Sequence, residues 1–163
     1  MYIPFAQMPE NSRVWVYQAE REFSDKELQQ IHHRLSQFCE GWNVHGNPLP
    51  TSYTIIDNQL LVLAADESGL GASGCSIDSS VRALKELESQ LQVNLTDSGK
   101  VSFKPQLGGK IQVTSALGIK SKIQAGEIQA DTLIINPQVN SKMDLENVWI
   151  SAENSWLNKY FPN

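Results

Sequence analysis

The chain has 163 residues, 40% of them hydrophobic, 8% aromatic and 19% charged, enough for one ordinary hydrophobic core and unlike a disordered or low-complexity composition. Its 13 Lys and Arg against 18 Asp and Glu leave a formal charge of -5, which argues against a general nucleic-acid binder, and no apolar run approaches membrane-spanning length. Two cysteines, Cys39 and Cys75, are too few for a disulfide framework, and the start of the chain lacks a secretory pattern, so a cytoplasmic location is expected.

In chain order, Arg13 to Ala19 sets Val14 and Val16 against Trp15 and Tyr17, the two-residue period of a half-buried strand. Ser24-Asp-Lys-Glu27 is a capping box, and Leu28, Ile31, Leu35, Phe38 and Trp42 follow at helical spacing. A helix is therefore expected over Asp25 to Glu40, ended near Gly41. Tyr53 to Ile56 and Gln59 to Ala65 flank Asp57-Asn58, a pair suited to a tight hairpin turn. A Gly/Ser-rich loop, Ser68 to Cys75, leads to a second helix, with Ser76 as its cap and Ile77, Val81, Leu84, Leu87 and Leu91 on one face. A last strand is expected within Val93 to Phe103.

The resulting order, β-α-β-β-α-β, is that of a ferredoxin-like α+β fold, an antiparallel sheet with two helices on one face. We divide the chain into a core over 1–106 and a C-terminal α/β extension over 107–163 packed on it. Within the extension, Lys110 to Thr114 reads as a strand and Ala116 to Ala125 as a short helix ended by Gly126, with weaker helix starts at Ser141 and Ser151. Trp156, Leu157, Tyr160 and Phe161 are spaced to form an apolar ridge, either a latch on the chain's own core or a partner surface. Charge follows a related division. Residues 1–97 carry 6 basic and 13 acidic side chains, whereas 98–163 carry 7 and 5.

The loop at 69–76 imitates two phosphate motifs. Gly69, Gly71 and Gly74 match the dinucleotide spacing G-x-G-x-x-G, but the strand before them belongs to a hairpin, and Asp66, Glu67 and Asp78 would repel a pyrophosphate. Gly69 and Gly74 also match the P-loop spacing, but Cys75 stands where the phosphate-binding lysine is required. ATP hydrolysis is not expected, and neither a cofactor nor a metal is called for.

Short connections should bring loops 41–52 and 66–76 to one edge of the sheet. Two readings of that edge follow. In the leading one it binds a small polar ligand or a protein partner through Trp42, Ser73, Gly74, Ser76 and Asp78, with neither nucleic acid nor membrane involved and a homodimer left open. In the alternative, the protein is a cysteine-dependent hydrolase or transferase. Cys75, at a helix start that favours its thiolate, would be the nucleophile, His45 the base, and Asp66 or Glu67 the orienting acid. The consecutive His32 and His33 point about 100° apart on a helix and cannot share a metal in ordinary geometry.

Trp42-Asn-Val-His-Gly46, Asp66-Glu67, Ala72-Ser-Gly-Cys-Ser-Ile-Asp-Ser79 and Ser155-Trp156 together resemble a family of small uncharacterised bacterial proteins that sometimes carry an ABC-transporter ATPase name. The resemblance brings no defined activity, substrate or cofactor, and the name conflicts with the missing lysine and the missing Leu-Ser-Gly-Gly-Gln signature. A shorter stretch, Ile123 to Ile134, is similar to bacterial GYF-like peptide-binding modules but lacks their aromatic opening.

Overall fold

The computed structural model describes residues 1–69 and 74–162, with the side chains of Gly74, Cys75 and Ser76 outside the description. The fold is α+β, with three α-helices among the described residues and antiparallel sheets. The chain divides into two compact units, one of Met1–Thr96 with Asn140–Asp144, the other of Asp97–Val139 with Leu145–Asn163. The division falls where the charge balance changes, ahead of the Pro105–Gly109 turn.

In the first unit, β1 (Arg13–Gln18), β4 (Thr51–Ile56) and β5 (Leu60–Ala65) form a sheet of order β1-β5-β4, and β2 (Asn43–Val44) pairs with β3 (Asn47–Pro48) as a small ribbon. The register sets Trp15 beside Leu63 and Tyr53, and Tyr17 beside Leu61 and Ile55, on one face of the sheet. These residues join one hydrophobic cluster with the inner faces of α1 (Asp25–Gly41) and α2 (Gly74–Leu91), which supply Ile31, Leu35, Leu84 and Leu87. Leu60, Val62 and Ala64, on the opposite face of the central strand, are buried as well. A strand covered on both sides reads as a continuous apolar run, which is why Leu60–Ala65 shows no alternation.

Local chemistry sets the element ends. Ser24 accepts the Glu27 N–H at 3.2 Å while Glu27 accepts the Ser24 N–H at 2.9 Å, the reciprocal capping box that starts α1. Asp57 and Asn58 take φ of 54° and 55°, the left-handed conformation expected of the turn, but Ile56 pairs with Leu60, so the connection is three residues long and Gln59, whose N–H donates to the Ile56 carbonyl at 3.1 Å, belongs to it and not to β5. The second helix begins at Gly74, so Ser76 lies inside it and is not the residue that precedes it.

The last expected strand departs from the ferredoxin-like order. Val93 and Leu95 are buried in the core of the first unit but stand outside any strand, and the strand that follows, β6 (Lys100–Lys104), belongs to the second unit. There it pairs with β7 (Gln112–Ser115) and with β8 (Leu133–Ile135), which in turn pairs with β9 (Trp149–Ser151). The turn at Asp97, whose carboxylate accepts the Gly99 N–H at 2.9 Å, separates β6 from the first unit. The outer edge of β1 instead meets residues 140–141, with the Val14 N–H donating to the Asn140 carbonyl at 3.0 Å and an antiparallel bridge from Arg13 to Ser141.

In the second unit, the expected 116–125 helix is a 3-10 turn over Ala116–Gly118 followed by α3 (Ile119–Gln124), closed by Gly126 at φ 77°. Leu157 is fully buried while its neighbour Trp156 stays 43% exposed, so the terminal ridge is split between inside and outside. Lys104 is buried with its ammonium 4.4 Å from the Trp149 ring centre.

Candidate functional site

The two loops do meet at one edge of the first unit. The Asp66 N–H, at the exit of β5, donates to the Pro50 carbonyl, at the entry to β4, at 2.9 Å. From there the chain runs back through the β2–β3 ribbon, which is held by the buried side chains of Val44 and Leu49 and packs against α2. His45 and Gly46 form the ribbon's tip, with φ of 51° and 82°. Asn43 fixes that tip, since its Oδ1 accepts the Gly46 N–H at 3.0 Å and its Nδ2 donates to the Gly41 carbonyl at 3.1 Å. His45, with Asn43 and Asn47 beside it, is exposed.

Each named site residue has a definite place or lies outside the description. Trp42 caps the end of α1 and is only 3% exposed. Its ring lies 5.7 Å from Trp15 and 5.1 Å from Phe38, so it is a wall of the core and not an open ligand contact. Asp66 accepts the Ser68 N–H at 3.0 Å, which turns the chain as it leaves β5. Glu67 lies 3.5 Å from Arg13, whose guanidinium also sits 4.7 Å over the Trp15 ring. Asp78 is exposed on the first turns of α2. Ser73 falls outside the described residues, as do the side chains of Gly74, Cys75 and Ser76. The proposed nucleophile therefore has no described geometry, and His45 makes no side-chain hydrogen bond among the described residues.

Cys39 is the described thiol, and burial pushes it up to about 11, partly offset by the hydrogen bond from Thr51. A thiol held that high stays protonated and unreactive near neutral pH. Among the described residues, no three His, Cys, Asp or Glu side chains gather where they could hold a metal ion, and no helix is long and apolar enough to cross a membrane.

A second polar cluster lies on the same unit, between the first turns of the chain, α1 and β4. The Tyr53 hydroxyl donates to the His32 carbonyl at 3.2 Å and lies 3.0 Å from the ring Nδ1 of the same histidine. Burial raises Tyr53 to about 12, with Tyr2 and Cys39 adding to the shift. Beside it, the Tyr2 N–H donates to Glu40 at 3.1 Å, and an open depression of about 670 Å³ is lined by Tyr2, Ser36, Gln37, Glu40 and Gly41. The sequence carries a partial signal for this cluster: Ser36 and Glu40 repeat at four-residue spacing after His32 on the helix, but nothing local shows that Tyr2 or Tyr53 meets them.

No protein-family model, curated protein or solved structure matches the chain.

Proposed function

We propose that the protein acts by binding and not by ATP hydrolysis, with its ligand edge on the first unit where the His45 ribbon meets the exit of β5. The observation that carries this reading is the Asp66 to Pro50 hydrogen bond, which ties the segment bearing Asp66 and Glu67 to the chain that leaves the exposed polar ribbon. Asp66, Glu67 and Asp78 give the edge a negative bias, with one charge partly balanced by Arg13. A small polar ligand that is neutral or cationic, or the matching side chains of a protein partner, suits that bias better than a phosphate. Cys75 in place of the phosphate-binding lysine supports the same conclusion, and keeps the bacterial family resemblance while setting aside its ATPase name.

The same reading extends to the finer class of the fold and to location. A ferredoxin-like reading of the first unit is supported by the order β1-β5-β4 and by residues 140–141, which lie along β1 on the side where that fold carries its fourth strand, in place of the strand expected within Val93 to Phe103. A free, buried Cys39 supports a reducing, cytoplasmic setting.

Alkylation by iodoacetamide, read at Cys75 by peptide mass spectrometry across pH, separates binding from thiol catalysis. We expect the pH dependence of the Cys75 rate to be unchanged in His45→Ala. A midpoint near or below neutrality that moves upward in His45→Ala would establish the thiol enzyme instead.

A further inference from the structure

Beyond the edge on the first unit, the geometry points to a second binding surface, on the second unit. We propose that β7 takes up an acidic, extended peptide segment by antiparallel strand addition. The strand order β7-β6-β8-β9 leaves β7 at the margin of its sheet. Its register with β6 pairs Val101 with Thr114 and Phe103 with Gln112, and the Ala116 N–H continues the ladder by donating to the Gly99 carbonyl at 2.8 Å. Hydrogen-bonded pairs alternate in an antiparallel ladder, so Gln112, Thr114 and Ala116 face β6. The N–H and C=O groups of Val113 and the N–H of Ser115 therefore point outward, while the Ser115 carbonyl opens the 3-10 turn that follows.

Protected edges are usually blunted or covered. Here an exposed apolar side chain brackets each end: Leu107, 76% exposed on the β6–β7 turn, and Leu117, 98% exposed just past Ser115. β9, at the opposite margin, has three residues, all half-buried, whereas both end residues of β7, Gln112 and Ser115, are exposed.

Charge selects the occupant. The stretch from Gly99 to Gly126 holds five lysines and no carboxylate side chain. Lys104 is buried against Trp149 and Lys122 pairs with Glu127 at 3.0 Å, whereas Lys110 and Lys120 are exposed, one before β7 and one after it. Edge lysines disfavour pairing with a second basic edge, including that of another copy of this chain, and favour a strand with carboxylates at both ends. The partner is thus an extended segment with acidic ends, apolar residues that meet Leu107 and Leu117, and a β-forming centre.

The test uses the whole protein and a dye-labelled peptide of about ten residues with a Val-Thr-Val-Thr centre, a leucine toward each end and glutamates outside them. Fluorescence anisotropy should show saturable binding, weakened about tenfold or more in Lys110→Glu/Lys120→Glu and in a peptide whose glutamates are replaced by lysine. Amide exchange at Val113 and Ser115 should slow with peptide bound. Val113→Pro removes one outward N–H at an edge position that tolerates proline, and should abolish binding with the circular dichroism unchanged. The charge-reversed pair keeps the test decisive should the proline variant unfold. Equal binding of the acidic and basic peptides, equal binding of a single-stranded oligonucleotide, protection mapped away from β7, or self-association through β7 that the peptide does not displace would each overturn the proposal.

Discussion

At the scale of single residues, Glu27 shows how one side chain serves two partners. It caps α1 through the Ser24 N–H and forms paired hydrogen bonds of 2.8 Å each with Arg21. The Arg21 guanidinium, helped by the Ser24 N–H, holds its carboxyl down to about 2. A carboxyl depressed in the folded state contributes stability that is complete above its unfolded value, near 4.5, and is lost as pH falls through about 2. Urea unfolding of the wild type and of Glu27→Gln should therefore differ at pH 6 and converge at pH 2. The capping box was legible because its four residues are contiguous and its chemistry is local. Trp42 was not, because its place in the helical repeat and its place in a chain motif point to different roles. The helical repeat describes its structure, since the ring closes the core between Trp15 and Phe38.

At the scale of elements, the hairpin between β4 and β5 depends on two consecutive non-glycine residues with positive φ. Asparagine tolerates that conformation far better than a β-branched residue does. Asn58→Val should destabilise the protein by about 1–2 kcal/mol in urea titration, whereas Asn58→Gly should be neutral or stabilising. Asp57-Asn58 and the α1 and α2 repeats were readable because turn chemistry and helical periodicity act within a few residues. The Lys100–Lys104 strand was recognisable as a strand but not as a member of the second sheet. Pairing is decided by segments far along the chain, here Gln112–Ser115 and Leu133–Ile135, which carry no mark of their partner.

At the scale of the whole molecule, the first unit is completed by residues from late in the sequence. Lys142 donates its ammonium to the Met8 carbonyl at 2.8 Å and the Ala6 carbonyl at 3.3 Å, and lies 3.5 Å from Glu10. Its backbone N–H bonds the Ser12 carbonyl at 2.9 Å, so the segment binds the first unit through both main chain and side chain. Lys142→Ala should cost about 1–3 kcal/mol in chemical denaturation, more than an exposed lysine would, because it leaves the part-buried Met8 carbonyl without its donor. No local pattern predicts this tie, since 134 residues separate Lys142 from Met8. The most direct test of the central claim is a backbone-amide NMR titration of the full chain with argininamide, a small cationic probe, and with Mg·ATP. Argininamide should shift residues 43–48 and 66–69, with the shifts lost in Asp66→Asn/Glu67→Gln, while Mg·ATP leaves them unmoved. Saturable Mg·ATP shifts at that edge, with none from argininamide, would contradict the account.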